Sequence, residues 1–135
     1  MERFSLHKSE RLCSQKTIGG LFTSGDTFLS YPLKVVFLRA EATQAYPALA
    51  AFSVSKRNFK RAVKRNLLKR RMRESYRLHK DQLYTVLDER GVFIAVMFIF
   101  VGKEVCEYGQ IEKGMTAAIK KIASIIGRNP GKQNA

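Results

Sequence analysis

Apolar residues are spaced in different ways along this chain, and the spacing predicts where helices and strands lie. Residues 1–12 carry only scattered apolar positions among polar and basic ones, which predicts an extended arm. Residues 14–24 place apolar side chains at i, i+3 and i+4 before Gly25, a pattern that predicts a short helix. Those side chains are Ile18, Leu21 and Phe22.

Three further runs have the composition of β-strands. Leu33–Arg39 and Ala48–Val54 are short apolar runs separated by a polar stretch, and each predicts a strand. Val92–Val101 is a run of ten consecutive apolar residues bounded by Gly91 and Gly102. A run of this kind predicts a strand that is buried on both faces of a sheet.

The longest predicted helix begins near Phe59 and continues to about His79, and residues 81–90 either extend it or cap it. One stripe of this helix recurs at i, i+4, i+8 and i+11 and is predicted to face the core; it consists of Leu68, Met72, Tyr76 and His79. A second row lies more than a right angle away around the helix. We call it the arginine row: Asn66, Arg70, Arg73 and Arg77.

The last apolar pattern has a helical period from Tyr108 to Gly127 and predicts a terminal amphipathic helix. Residues 128–135 are polar and predicted to be a disordered tail. The predicted order is helix, strand, strand, helix, strand, helix over residues 1–127. This order, in a chain of 135 residues, predicts a single α+β domain built as a two-layer α/β sandwich.

Basic residues are concentrated in the long helix and in the segment just before it. The net charge is +14, and residues 55–80 hold 12 of the 25 Lys and Arg residues with Glu74 as their one acid. Like charges at i,i+4 spacing destabilise an isolated helix. A polyanion offsets this repulsion, because each neutralised phosphate releases counterions. A merely solvated surface is the alternative, and the scarcity of acids disfavours it.

Cysteine usage and hydropathy indicate a soluble cytoplasmic protein that does not act on membranes. Cys13 and Cys106 lie far apart and match no metal-ligand spacing, so we expect two reduced thiols. No apolar run approaches the roughly 20 residues that a spanning helix needs. The N-terminal residues contain no apolar segment of the signal-peptide type.

Residues suited to catalysis are sparse. A magnesium-dependent nuclease site needs clustered carboxylates, and Asp88–Glu89 is the one adjacent pair of acids. A metal-free nuclease would need a pair of acid–base groups, but His7 lies in the arm and His79 lies on the apolar stripe. We therefore expect no catalytic residue and no protein-bound metal, and predict that the polypeptide alone is not a catalyst.

The segment Ser53–Glu74, SVSKRNFKRAVKRNLLKRRMRE, resembles the protein subunit of bacterial ribonuclease P. The pattern of that family is a strand ending in Ser-Val-Ser/Pro-Lys, followed on a long helix by Ala-Val-x-Arg-Asn-Arg-x-Lys-Arg-x-x-Arg. Leu67 departs from the pattern, because it stands where the family has the second Arg of Arg-Asn-Arg. The matching helix positions are Ala62, Val63, Arg65, Asn66, Lys69, Arg70 and Arg73.

The resemblance extends more weakly to most of the chain and implies a fold similar to the second domain of ribosomal protein S5. In that family a catalytic RNA binds Mg²⁺ and removes the 5′ leader of precursor tRNA by endonucleolytic hydrolysis. The basic protein binds the catalytic RNA, and the Mg²⁺ is held mainly by the RNA partner. The RNA-contacting residues that the resemblance implies are Lys56, Arg57, Lys60, Arg61, Lys64, Arg65, Asn66, Lys69, Arg70 and Arg73.

The resemblance also implies that the protein contacts the single-stranded leader of precursor tRNA in a cleft between the first helix and the sheet. Leader bases can stack on an aromatic side chain with little demand on sequence. Core packing explains Phe22 equally well, and a helix-surface hydrogen bond is the alternative for Asn66. The implied cleft positions are Ile18, Phe22, Val36 and Ser53, with Ile18 standing where the family often has an aromatic residue.

Two other classes of function are compatible with a basic α/β chain. The first is a ribosomal or other structural RNA-binding protein without a processing role. The second is a DNA-binding module that inserts the basic helix into a major groove, which requires a turn-linked partner helix or a dimer seam. Neither of these DNA-binding features is visible in the sequence, so we expect RNA partners and no DNA.

Overall fold

The computed structural model describes residues 25–39 and 46–128. The predicted arm, the predicted first helix and residues 129–135 of the predicted tail lie outside the described residues. Within them, four strands and two helices form one α+β domain, which confirms the predicted fold class. The elements in chain order are β1 (Asp26–Ser30), β2 (Leu33–Arg39), β3 (Ala48–Val54), α1 (Ala62–Arg90), β4 (Ile94–Phe100) and α2 (Tyr108–Arg128).

The four strands form one mixed sheet in the order β1-β2-β4-β3. β2 pairs antiparallel with both β1 and β4, whereas β3 and β4 are parallel neighbours connected through α1. β4 occupies an inner position, and six of its seven residues are buried, as predicted for the run Val92–Val101. The strand itself is shorter than that run.

One face of the sheet packs against α1 and α2 to form the main core. Leu68, Met72 and Tyr76 are fully buried there, which confirms the predicted core side of the long helix. The ring of Tyr76 lies 5.4 Å from that of Phe98, and Phe98 in turn stacks on Phe52 at 5.7 Å. Each fully buried side chain of this size contributes roughly 1.5–3 kcal/mol, so this cluster fixes α1 on the sheet.

The long helix extends further than its apolar stripe indicated. It continues to Arg90, where Gly91 adopts a left-handed conformation with φ 65° and ends it. The amide of Val92 then donates to the carbonyl of Leu87 at 3.0 Å, which closes the helix end. His79 is only half-buried, and Lys80 takes the next buried position at 3% exposure.

β1 is a strand that the sequence pattern did not predict. It has five residues, and only Phe28 and Ser30 are shielded from solvent. Its position depends on α2: the Ser30 hydroxyl donates to the carbonyl oxygen of Gly114 at 2.8 Å. A Cβ at Gly114 would lie 2.9 Å from the carbonyl oxygen of Tyr31, so glycine permits this close approach.

In residues 25–39 and 46–128 neither helix is apolar over a length that could cross a membrane.

Candidate nucleic-acid interface

The arginine row lies on the side of α1 that faces away from the sheet. Asn66 and Arg70 are exposed, whereas Arg73 and Arg77 are half-buried. Leu68 on the opposite side is fully buried. The helix therefore has the two-sided character that the sequence predicted, and RNA contact by the row stays a prediction.

The C-terminal end of the arginine row is neutralised within the helix. Nη2 of Arg77 lies 2.6 Å from Oε2 of Glu74. This hydrogen bond lowers the pKa of the Glu74 carboxyl and raises that of the Arg77 guanidinium. Positive charge is thus least compensated toward the N-terminal end of α1, whose first turn contains no acid. The helix dipole adds to the attraction for anions at that end.

A loop between β3 and α1 carries four exposed basic residues. It is held to the core by Phe59, which is 5% exposed and packs on Phe100 at a ring distance of 5.8 Å. Arg65 also holds the loop, because its Nη1 donates to the carbonyl oxygens of Phe59 at 2.7 Å and Lys60 at 2.8 Å. The four exposed basic residues of this loop are together called the basic loop: Lys56, Arg57, Lys60 and Arg61.

Tertiary structure adds Lys103 to the predicted basic residues. Lys103 lies in the connection between β4 and α2, and with Lys60 and Lys64 it lines a shallow hollow at the start of α1. The hollow contains four basic side chains and one acid, Glu104. Sequence reasoning missed Lys103 because it is remote from residues 55–80 and no local pattern marks it.

The structure places two of the four predicted leader-cleft residues on one face of the sheet. Val36 pairs with Met97 on β4, and Ser53 pairs with Ile99 on the same strand. Both cleft residues therefore lie on the sheet face that points away from α1 and α2. Ser53 is half-buried, and Val36 is only 2% exposed. Ile18 and Phe22 lie outside the described residues, so the cleft stays a prediction.

Leu67, the residue that departs from the family pattern, faces the beginning of α2. It is half-buried and lines a small hollow with Arg70, Arg71 and Tyr108. Nη1 of Arg71 donates to the carbonyl oxygen of Cys106 and so links α1 to the segment before α2. The apolar side chain of Leu67 therefore borders a hollow between the two helices, beside the arginine row.

Tyr108, at the start of α2, is partly buried beside this hollow. Burial raises the pKa of its hydroxyl, and the nearby carboxylates raise it further.

The described residues do not fit a resident magnesium ion. Between residues 25 and 39 and between 46 and 128, no three His, Cys, Asp or Glu side chains are grouped so as to hold a metal. Mg²⁺ prefers oxygen ligands, whereas this surface presents ammonium and guanidinium groups. Nε2 of His79 lies 2.8 Å from Oε2 of Glu112, and this His–acid pair links α1 to α2.

Comparison with known proteins finds matches to a single family over most of the chain. A family model described as Ribonuclease P matches residues 6–123. Ribonuclease P protein components from two strains of Porphyromonas gingivalis are each 41% identical over 124 residues, which cover 91% of this chain and 90% of the relative. The Ribonuclease P protein component of Chlorobium phaeobacteroides is 37% identical over 106 residues, 73% of each chain.

Solved structures show the same fold. The RNase P protein of Staphylococcus aureus superposes with a TM-score of 0.67 at 20% identity, covering 87% of this chain and 98% of that one. A mutant of the Staphylococcus aureus protein with defective mRNA degradation activity gives a TM-score of 0.66 at 21% identity, covering 87% and 90%.

Proposed function

The chain belongs to the ribonuclease P protein family, and we propose that it is the protein subunit of a ribonuclease P holoenzyme, an endoribonuclease that processes tRNA. In this proposal an RNA subunit is the catalyst, and the polypeptide alone has no activity. The chain binds that RNA and the 5′ leader of precursor tRNA in the cytoplasm. Removal of the leader then produces the mature 5′ end.

The observation that carries the proposal is the division of α1 into two sides. Leu68, Met72 and Tyr76 are fully buried against the sheet, so the helix is held in one orientation. Asn66 and Arg70 are thereby fixed toward solvent. A rigid row of this kind suits a folded RNA, whose phosphates also have fixed positions.

The side chains on this surface suit phosphate and ribose contacts. A guanidinium is planar and donates two parallel hydrogen bonds, so Arg70 can grip a phosphate in one orientation. Asn66 can donate and accept at once, as a base edge or a 2′-hydroxyl requires. The basic loop and the N-terminal end of α1 add attraction that does not depend on sequence.

The magnesium ions of the reaction are proposed to be bound mainly by the RNA. When bound, Mg²⁺ activates water and neutralises charge on the transferring phosphate. This chain contributes by neutralising backbone phosphates of the folded RNA, because its Lys and Arg side chains attract phosphates and repel cations. By bringing RNA strands together it raises the affinity of the holoenzyme for its substrate.

We propose that the leader of precursor tRNA lies on the sheet face that carries Val36 and Ser53. The Ser53 hydroxyl is half-buried and supplies a donor and an acceptor at the end of β3. Phe22 and Ile18 complete this proposed contact, with Phe22 as the aromatic on which a base stacks.

Reconstitution tests the proposal directly. The purified chain, the RNA subunit encoded by the same genome, and precursor tRNA are combined with Mg²⁺. We expect the complete mixture to release the leader and leave a 5′-phosphate on mature tRNA, and the chain alone to leave the precursor intact. Cleavage by the RNA-free chain would contradict the proposal. Stable co-sedimentation with ribosomal subunits, without any effect on precursor cleavage, would instead identify a structural ribosomal protein.

A further inference from the structure

Tyr31 is a large aromatic side chain that the fold holds in solvent. It lies in the turn between β1 and β2 and is 66% exposed. A single exposed apolar residue is ordinary on a protein surface. An exposed ring held in one place beside basic side chains can, however, act as a stacking platform for a nucleic-acid base.

The turn that carries Tyr31 is fixed at several points. The amide of Val101 donates to the carbonyl oxygen of Pro32 at 2.9 Å. On the other side, the Ser30 hydroxyl bonds to α2 at Gly114. The Tyr31 hydroxyl lies 3.5 Å from the place where a Cβ at Gly102 would be, so the side chain extends over that glycine. The ring is thus presented in a set place, which lowers the entropy cost of binding.

The surface beside Tyr31 continues into the basic hollow at the start of α1. Tyr31 lines a second hollow together with Lys103, Glu104 and Val105. The same three residues also line the basic hollow, so the two hollows adjoin at residues 103–105 and are treated together as one groove. We call it the Tyr31 groove. At one end it has an exposed ring, and at the other it has Lys60, Arg61 and Lys64.

We propose that the Tyr31 groove binds a single-stranded segment of RNA, with a base stacked on Tyr31 and a backbone phosphate at Lys103. Single-strand binding surfaces combine a positively charged groove with aromatic stacking platforms, and this groove has both. Its Tyr31 end lies at the β1–β2 turn and the β4–α2 connection, apart from the arginine row and from the sheet face of Val36, whereas its basic end shares Lys60 and Arg61 with the basic loop. The inference rests on the proposed function and adds a second contact region to it.

Charge favours RNA over the other occupants of such a groove. The basic hollow has four basic residues and only Glu104 as an acid, so a second copy of this basic chain would be repelled. An acidic peptide would satisfy the lysines but would have no particular need for an exposed ring. A nucleotide uses the charge and the ring together.

The experiment measures the affinity of full-length variants for labelled single-stranded oligoadenylate and for an RNA duplex of equal length. We expect Tyr31→Ala to weaken single-strand binding by roughly 5- to 150-fold, the loss of one stacked base, while duplex binding is unchanged. Tyr31→Phe keeps the ring and should retain the parent affinity. Lys103→Ala should weaken binding and lower the salt slope by about 0.7, whereas Lys120→Ala on α2 should not.

Leu29→Ala is the matched control for loss of exposed apolar surface near the turn, because Leu29 is 63% exposed. It should leave affinity and melting temperature as in the parent. If Tyr31→Ala binds oligoadenylate like the parent while Arg70→Ala weakens binding to the RNA subunit, the groove inference is wrong and the proposed function stands. If neither variant changes RNA binding, both are wrong. Self-association of the parent that Tyr31→Ala abolishes, with RNA affinity unchanged, would overturn the groove inference by identifying a contact between copies.

Discussion

Nη1 of Arg65 lies 2.7 Å from the carbonyl oxygen of Phe59, and the same nitrogen lies 2.8 Å from that of Lys60. One of the basic residues implied to contact RNA is therefore bonded to the chain's own backbone. Since Phe59 is buried against the sheet, Arg65 connects the start of α1 to the core through the loop. Arg65 has a structural role whether or not RNA is present.

Arg65→Ala should lower both stability and RNA affinity. Loss of two hydrogen bonds from a charged group, one partly buried and one exposed, is expected to cost about 1–3 kcal/mol. Without Arg65 the basic loop is less ordered in the free protein. RNA binding must then also overcome the entropy cost of ordering the loop, so RNA affinity should fall. Chemical denaturation and RNA titration measure the two effects. Arg70→Ala is the control: Arg70 is exposed, so stability should change by no more than about 0.5 kcal/mol. Equal stability of the two variants would contradict the structural role of Arg65.

The alanine variants of Asn66 and Arg70 should differ in how strongly their RNA affinity depends on salt concentration. Arg70→Ala removes a charge, so it should weaken binding to the RNA subunit and reduce the slope of log affinity against log salt by about one. Asn66→Ala removes hydrogen bonds but no charge, so it should weaken binding with the slope unchanged. Affinity titrations across a salt series distinguish the two. An unchanged slope for Arg70→Ala would show that its guanidinium does not contact phosphate.

Gly114 and Gly109 should respond in opposite ways to alanine. A Cβ at Gly114 would lie 2.9 Å from the carbonyl oxygen of Tyr31 and 3.1 Å from that of Ser30. Gly114→Ala should therefore destabilise the fold by about 1–3 kcal/mol, despite the better helix propensity of alanine. Nothing lies within 4 Å of a Cβ at Gly109, so Gly109→Ala should be neutral or stabilise by up to about 1 kcal/mol. Thermal or urea unfolding measures both, and similar changes would contradict the close approach of the turn to α2.

Cys106 should react slowly with alkylating reagents at neutral pH. Burial raises the pKa of its thiol, and the Glu104 carboxylate raises it further while Arg71 partly opposes both. A raised pKa leaves less thiolate at a given pH, so the rate with iodoacetamide should rise only well above pH of about 8.5, the ordinary thiol range. Glu104→Gln should shift this profile to lower pH. The measurement uses a Cys13→Ser background so that one thiol is followed, and an unshifted profile would exclude Glu104 as a cause.

The core side of α1 could be predicted from the sequence because its spacing is regular. Leu68, Met72 and Tyr76 recur every four residues, and all three are fully buried. The pattern then fails at Lys80, a basic residue in a buried position whose Nζ lies 5.4 Å from the centre of the Tyr84 ring. Leu83 and Leu87 continue the buried side beyond it. Lys80 is charged but buried, because the fold places its ammonium group near the Tyr84 ring. The pattern of polar and apolar residues alone therefore does not show that the helix continues to Arg90.

Features that depend on contacts between distant segments could not be predicted. β1 has too few shielded residues to give a strand pattern, and its position depends on α2 through Ser30 and Gly114. Arg65 matches the position of an RNA-contacting Arg in the family pattern. The conformation of the loop nevertheless places the carbonyl oxygens of Phe59 and Lys60 where its guanidinium bonds to them. Tyr31 and Lys103 line the same hollow because β2 and β4 are neighbours in the sheet.

The parallel pairing of β3 with β4 has a consequence for how the chain folds. Ala48 pairs with Ile94, and all of α1 lies between these two strands in the sequence. Closing so long a connection costs conformational entropy before the contacts between β3 and β4 can form and stabilise the sheet. The helix inside it repels itself at its basic end, so multivalent anions that screen this charge should speed refolding. RNA would then assist the assembly of the sheet as well as occupy the finished surface, and refolding rates at increasing polyphosphate concentration would measure it.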